Sequence, residues 1–300
     1  LKYSGVEFKG KSVNFNFTDE DVAELKLQGV VPGESETVFS NVQLESNDEG
    51  YAFSVEDEND VRTGTLNGFL EKGKLTLTVE VKFAENVLMK KWKLSSVSMT
   101  WLPRDYYLIE GKLNTGGVAA LVSLGGGPLL KKYLQDITFL EEGNVVATYN
   151  AAVATDEDPE PAADWQESAL NLAHYYVKDD VCYVCPNVEM IMSQVGKDNA
   201  GRANLDPTTL IWGQLLQKGI PVHFEISKTA ILKKETIYMY VDEVFLKNLK
   251  PLIPVVAALV PEDYEIPILN APVKPILENL PGALDATTEL KLGIKCNPIE

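Results

Sequence analysis

"GTLNGFLEKGKLTLTVEVKF", residues 64–83, alternates apolar and polar side chains without a break after its turn. A period of two places successive side chains on opposite faces of a β-strand. The sequence therefore predicts a strand over 75–83, preceded by a turn at Glu-Lys-Gly-Lys, residues 71–74. Because a slip of one residue would expose every apolar side chain, the residues expected to face a core are Leu75, Leu77, Val79 and Val81.

Similar short strands precede this stretch. "SVNFNF" (12–17) and "YAFSVE" (51–56) alternate in the same way, and "AELKLQGVVPGE" (23–34) indicates a strand that breaks at Pro-Gly. Closely spaced strands with Gly, Asn and Asp between them are typical of an antiparallel meander. A meander that curls into a barrel or half-barrel hides its edges. We therefore expect residues 1–96 to form an all-β domain of this kind.

The pattern changes after residue 96, and we expect 97–300 to be an α+β domain. Hairpins are predicted with turns at 142–144 and 178–180, between runs of alternating residues. Apolar positions at helical spacing predict amphipathic helices in three later stretches: 206–218, 244–260 and 273–284. Pro251 and Pro254 should kink or split the second of these. The predicted fold class is thus mainly β with an α+β C-terminal part.

Residues 116–136 are predicted to be helical in part, and they contain a glycine-rich segment, "LGGGPLLKK" at 124–132. It lacks the Gly-Lys-Ser/Thr ending of a phosphate-binding loop. The segment is therefore interpreted as a flexible turn, with Pro128 at the first position of a helix, where proline is favoured.

Four segments carry a family resemblance: "KYSGVEFKGKSVNFNF", "LQGVVPGESETVFSNVQL", "GYAFSVE" and "LEKGKLTLTVEVKF". Together they resemble secreted calycin-like (lipocalin-like) proteins of unknown function from gut Bacteroidetes, over about the first 95 residues. The resemblance implies a curled antiparallel sheet in an exported, often lipid-anchored protein of the cell envelope. It implies no catalytic residues.

The chain is strongly acidic, with 44 acidic and 27 basic residues and a net charge of −17. Such a surface repels phosphate backbones and anionic headgroups, which argues against nucleic-acid binding. No apolar run approaches the length of about 20 residues that a membrane-spanning helix needs. The sequence begins with Leu1, so we expect that an N-terminal segment carrying an export signal and lipid anchor was removed.

Three cysteines are too few for a disulfide scaffold. Cys182 and Cys185 lie in a predicted strand, where positions three apart point to opposite faces about 10 Å apart, so they should not pair with each other. A bridge from either one to Cys296 is left open. Neither His174 nor His223 belongs to a catalytic or metal-binding motif. We therefore expect no enzyme activity, no cofactor and no metal.

Aromatic residues gather in sequence around the predicted domain junction, where ligand pockets are common. The candidate ligand-lining residues are Trp92, Trp101, Trp165, Tyr175, Tyr176 and Trp212. Ordinary core packing is the alternative interpretation of this set. The leading functional hypothesis is a non-catalytic envelope protein that binds a hydrophobic or amphipathic small molecule. The alternatives are a surface protein that binds a glycan or protein partner, and, third, a hydrolase.

Overall fold

The computed structural model describes residues 1–153, 155, 158–195, 219–228, 235–261, 264–266 and 271–299. The predicted helix at 206–218 and Trp212 therefore lie outside the described residues. The fold is mainly β with a few helices toward the C-terminus, which confirms the predicted class.

Nine strands precede residue 84 and form two sheets, with the orders β2-β1-β9-β8-β7-β6 and β3-β4-β5. All neighbouring strands are antiparallel except β1 and β9, which run parallel. Their bounds are β1 Lys2–Tyr3, β2 Val6–Glu7, β3 Ser12–Asp19, β4 Val22–Gln28, β5 Glu36–Gln43, β6 Glu45–Ser46, β7 Tyr51–Glu58, β8 Arg62–Glu71 and β9 Lys74–Phe83.

The strand β9 confirms the predicted alternation. Leu77, Val79 and Val81 are buried and Leu75 is half-buried, whereas Thr76 and Glu80 on the other face are exposed. Lys72 and Gly73 form the predicted turn with φ values of 45° and 79°, the left-handed conformation that a tight hairpin requires. The inward side chains of both sheets meet in the N-terminal core, which comprises Tyr3, Phe8, Ala23, Leu25, Leu27, Val30, Val31, Val42, Leu44, Phe53, Leu66, Leu77, Val79 and Val81.

One charged side chain is buried beside the N-terminal core. Arg62 is 4% exposed, and its guanidinium forms ion pairs with two carboxylates. Nε lies 2.6 Å from Glu34 Oε1, and Nη1 lies 2.7 Å from Asp57 Oδ2. Thr37 donates a further hydrogen bond to Glu34. Because Arg62 is paired on two sides, the cost of burying its charge is offset.

A nine-stranded antiparallel sheet follows, with the order β15-β14-β13-β10-β22-β19-β18-β17-β16. The hairpins predicted to turn at 142–144 and 178–180 are both present. The bounds of these strands are β10 Lys91–Leu102, β13 Leu134–Phe139, β14 Val145–Asn150, β15 Trp165–Glu167, β16 Ala173–Lys178, β17 Val181–Pro186, β18 Ile220–Lys228, β19 Glu235–Asp242 and β22 Glu289–Pro298. Four short strands form two separate pairs: β11 Tyr107–Ile109 with β12 Leu113–Asn114, and β20 Glu265–Ile266 with β21 Ala271–Pro272.

The large sheet curls into a half-barrel, and residues near its two ends come into contact. Asn144 forms an isolated bridge with His174, and the rings of Phe139 and Tyr175 lie 4.9 Å apart. This half-barrel is formed by the strands from Lys91 onward. Its concave side holds the half-barrel interior, which comprises Leu88, Trp92, Leu94, Phe139, Tyr175, Cys182, Ile237, Met239 and Cys296.

The glycine-rich segment is helical, so its interpretation as a flexible turn is wrong. Helix α1, Thr115–Leu130, includes all three glycines, and Pro128 lies in its last turn, not at a helix start. The helix lies along β10, and Ser123 Oγ accepts a hydrogen bond from the Met99 amide at 2.9 Å. A Cβ on Gly127 would lie 3.3 Å from Ser96 Cα. Glycine at this position thus favours close packing of the helix against the strand.

Further helices occur in the later part of the chain. As predicted, the prolines split the stretch at 244–260. The bounds are α2 Val188–Val195, α3 Glu243–Asn248, a 3-10 turn Lys250–Leu252, α4 Ile253–Leu259 and α5 Val273–Ala286. Helices α1, α4 and α5, together with β10 and β22, bury the helix-covered core, which comprises Trp101, Leu108, Leu113, Val118, Ala119, Ile253, Ala271, Ile276, Ala283, Leu284 and Leu290.

Polar contacts join the N-terminal sheets to the half-barrel. Asn171 is fully buried; its Nδ2 donates to the Tyr3 carbonyl at 3.0 Å, and its backbone amide donates to Asn144 Oδ1 at 2.7 Å. The predicted domain boundary after residue 96 falls inside β10, whose residues 92–102 pair with β22. The division into two domains stays a prediction.

Candidate functional site

The predicted aromatic residues do not converge on one pocket. Trp92 and Tyr175 are buried in the half-barrel interior, where Trp92 Nε1 donates to the Leu88 carbonyl at 3.0 Å. Trp101 is buried in the helix-covered core, with Nε1 2.7 Å from Thr287 Oγ1. These three rings fill space and have satisfied polar atoms, as packed core aromatics do.

The other candidates lie elsewhere. Trp165 is 40% exposed on the edge strand β15. Tyr176 stacks on Tyr183 at 4.9 Å, and the turn at Gly33 packs against its ring. Trp212 falls outside the described residues. Neither Trp165 nor Tyr176 belongs to the cores that hold Trp92 and Trp101.

An apolar groove lies on the protein surface between α4 and α5, and we call it the helical groove. Its volume is about 460 Å³, within the range of about 300–1,000 Å³ typical of small-molecule sites. It is lined by Ile253, Pro254, Ala257, Ala258, Lys274, Leu277, Glu278 and Pro281.

The local sequence explains why this groove is open. Pro254 begins α4 and Pro281 lies within α5, so both helices carry rigid rings on the groove. Ala257 and Ala258 extend no further than Cβ, so they leave the space between the helices unfilled. Lys274 and Glu278 lie one helical turn apart on α5 and bring opposite charges to the lining.

The sequence anticipated only part of this site. Ile253 and Leu277 belong to helical faces that were predicted to be apolar, but the prolines were interpreted only as helix breakers. The small side chains of Ala257 and Ala258 are the signal that was missed. Two alanines on a helix that faces another helix indicate either close approach or open space.

A second groove, of about 440 Å³, lies between the end of β9, the start of β10 and the end of β13. Its lining includes Phe83, Met89 and Phe139, but also three lysines, and each of these has an acidic partner. Lys82 pairs with Glu141 at 2.9 Å, Lys90 with Glu235 at 2.9 Å and Lys91 with Asp136 at 3.2 Å. The charged groups are thus already paired within the chain.

Burial shifts the pKa values of a buried histidine and of the three cysteines. Burial lowers the pKa of His174 to about 3, so its imidazole is neutral at physiological pH. Burial raises the pKa of the Cys182 thiol to about 12, that of Cys185 to about 11 and that of Cys296 to about 12. All three cysteines are free, which confirms that Cys182 and Cys185 are unpaired, and Cys296 is bridged to neither. Thiols with such raised pKa values are poor nucleophiles.

Two further properties concern the described residues alone. Within them, no cluster of three or more His, Cys, Asp or Glu side chains is arranged to hold a metal ion. Within the same residues, no helix has the length and apolar character needed to cross a membrane.

Comparison with known proteins yields no match: no protein-family model, no curated protein and no solved structure is significantly similar to this chain.

Proposed function

We propose that this chain is a non-catalytic binding protein that holds a hydrophobic or amphipathic small molecule in the helical groove. The observation that carries the proposal is an apolar groove of about 460 Å³ that the side chains of α4 and α5 leave open. The half-barrel interior is an unsuitable alternative site, because Trp92, Phe139 and Tyr175 occupy it.

The lining favours an amphipathic ligand. Ile253, Ala257 and Leu277 offer apolar contact, and burying apolar ligand surface is favourable by about 25 cal/mol per Å². Lys274 and Glu278 bring polar groups to the same lining, and a few placed polar groups fix the orientation of such ligands. Fatty acids and sterols have this chemistry.

The test is a titration of the full chain with Nile red, a neutral dye whose fluorescence rises in apolar surroundings. We expect a saturable signal that oleate or cholesterol displaces. Ala258 is an exposed alanine on α4, so Ala258→Trp fills the groove without burying a new side chain in the core. It should weaken dye binding at least tenfold.

The matched control is Ala120→Trp, which places the same ring at an exposed alanine on α1, away from the groove. This variant should bind the dye as the unmodified chain does. Equal weakening by both variants, or a dye signal that neither lipid displaces, would contradict the proposal.

We also propose that the protein is exported to the cell envelope and held there by a lipid anchor. Its support is the resemblance of residues 2–83 to secreted calycin-like proteins. This location can be tested by fractionating cells that express the chain from its native gene. Recovery in the cytosolic fraction would contradict it.

A further inference from the structure

The large sheet has a second face, which we call the outer face, on the side away from the half-barrel interior. Ile237 and Met239 point into the interior, so Tyr238 and Tyr240, which alternate with them on β19, lie on the outer face. Their direct neighbours in the register share this face. Tyr238 is opposite Glu225 and Lys295, and Tyr240 is opposite His223 and Gly293.

Three of these rings form a continuous row. The rings of His223 and Tyr240 stack at 5.5 Å and 24°, and those of Tyr240 and Tyr238 at 4.9 Å and 28°. Lys291 Nζ lies 4.7 Å from the Tyr240 centroid, and Lys295 Nζ lies 5.6 Å from that of Tyr238. We call this set, with its two carboxylates Glu225 and Asp242, the tyrosine row.

Hydrogen bonds fix every ring of the row. Tyr240 donates its hydroxyl to Glu225 Oε1 at 3.0 Å, and Lys291 Nζ donates to the same oxygen at 3.0 Å. The Lys291 ammonium and then the Tyr240 hydroxyl lower the pKa of Glu225, which keeps this acceptor ionised. Tyr238 donates to the Ser98 carbonyl at 3.3 Å, and His223 Nε2 lies 3.0 Å from Asp242 Oδ2.

Gly293 explains why the rings can lie in this way. A Cβ at this position would come within 2.6 Å of Tyr240 Cβ and 2.0 Å of the Met239 carbonyl oxygen. A glycine in a strand interior often marks a close approach of another chain segment or ligand. Here it gives Tyr240 the space it needs over β22. The row is therefore ordered before any ligand arrives, which reduces the entropy cost of binding.

The chemistry of the row is polar and aromatic at once. Hydroxyl groups flank it on β10, at Ser96, Ser98 and Thr100. Two lysines face two carboxylates, so the row is close to neutral in a chain whose net charge is −17. The side chains are accessible: Glu225 is 56% exposed, His223 32% and Lys291 31%.

A neutral carbohydrate matches these properties. Its C–H surfaces pack on aromatic rings. Its hydroxyls can donate hydrogen bonds to carboxylates, accept them from ammonium groups and do either with tyrosine hydroxyls. A nucleic acid or polyanionic glycan is disfavoured by the charge of the chain. A hydrophobic protein hot spot is a poorer match, because an interface core is depleted in charged residues. We propose that the tyrosine row is a binding site for neutral oligosaccharides, separate from the helical groove.

The test uses the full chain and a panel of neutral hexasaccharides of glucose, mannose, galactose and xylose, with hexagalacturonate as the anionic member. Saturation-transfer difference NMR detects binding, and titration calorimetry measures affinity. We expect saturable binding within the neutral set, weakened at least tenfold by Tyr240→Ala. The matched control is Tyr133→Ala, at a tyrosine that is 60% exposed outside the row, and it should leave affinity unchanged.

Three results would overturn this proposal. They are the absence of saturable binding by every neutral hexasaccharide, binding of hexagalacturonate alone, and an equal loss of sugar affinity in Tyr240→Ala and Tyr133→Ala. Analytical sedimentation can give a fourth contrary result: the unmodified chain is a dimer whether or not sugar is present, and Tyr240→Ala is a monomer. The tyrosine row would then be a contact between two copies of the chain. Nile red binding should be the same in Tyr240→Ala and the unmodified chain, so the two proposals fail separately.

Discussion

The N-terminal core and the half-barrel interior are both filled by alternate strand residues, but different contacts close them. The hairpins β7-β8 and β8-β9 join strands that are consecutive in sequence. The half-barrel depends on distant pairs, such as β10 with β22 and the Phe139–Tyr175 contact between the two ends of the sheet. Local patterns therefore specify the first core, whereas the second requires segments to meet across most of the chain.

The two regions also differ in their buried polar groups. The N-terminal sheets bury the charged Arg62 between Glu34 and Asp57. At the seam of the half-barrel, His174 is buried in a neutral environment, with Nε2 3.2 Å from Asn171 Oδ1 and its ring against Tyr3 and Phe8. One region thus depends on ion pairing, and the other on keeping a histidine uncharged.

The largest effect is expected from removing an aromatic side chain from the half-barrel interior. Trp92→Ala deletes a fully buried indole and should lower the free energy of unfolding by about 3–5 kcal/mol. Trp165→Ala removes a ring that is 40% exposed, and its effect should stay within about 0.5 kcal/mol. Urea unfolding measures both. Similar losses would mean that the interior is not packed as described.

A smaller effect is expected in the N-terminal sheets. Arg62→Met leaves Glu34 and Asp57 without their cation, and breaking such a pair costs about 3 kcal/mol. The control is Lys82→Met in the exposed Lys82–Glu141 pair, which should cost less than about 1 kcal/mol. Urea unfolding distinguishes them. An Arg62 variant as stable as the control would show that this core does not need its ion pairs.

The seam should make stability depend on pH. His174 has a folded pKa of about 3, and the unfolded value is about 6.5. Between these values the unfolded chain binds a proton that the folded chain does not, so stability is full above pH 6.5 and falls as pH decreases. The free energy of unfolding should fall by about 1.4 kcal/mol for each pH unit below 6.5, which is a loss of about 2.7 kcal/mol at pH 4.5.

His174→Gln keeps a donor toward Asn171 but removes the titration. The difference in stability between this variant and the unmodified chain should therefore change with pH across 6.5 to 4.5. Chemical denaturation at several pH values in one buffer series measures this difference. A difference that does not vary with pH would rule out a neutral, buried His174.

The smallest effect concerns the three thiols, all of which lie in the large sheet. Because burial raises their pKa values, iodoacetamide at pH 8 should modify the native chain slowly, with the half-buried Cys185 first. Unfolding in denaturant should make all three react fast. Peptide mapping by mass spectrometry reads the order. Fast native labelling of Cys182 or Cys296 would contradict the packing of the interior.

Sequence alone predicted what depends on neighbours along the chain. The burial of Leu77 and the turns at 71–74, 142–144 and 178–180 follow from alternation and turn chemistry. The position of the half-barrel does not follow from these local signals, because its closure depends on contacts between strands far apart in sequence. Helix α1 was predicted only in part, because its glycines are explained only by the strand that they approach.

The candidate site shows the same limit. The apolar faces around Ile253 and Leu277 were predicted, but a groove is the space between two helices. Its opening depends on the angle between α4 and α5, to which Pro254 and Pro281 contribute. No periodicity in either helix encodes that angle. The tyrosine row was missed because its residues come from three strands, and only the register brings them together.

The position of β22 between β10 and β19 affects how this protein is made. The strands of the N-terminal sheets are complete once residue 83 has been synthesised, and domains fold in that order on the ribosome. In contrast, β10 and β19 each keep an unpaired edge until residues 289–298 have emerged. Unpaired strand edges invite aggregation. The nascent chain thus spends most of its synthesis half folded, and chaperones that shield β-edges should matter more to its yield than to its final stability.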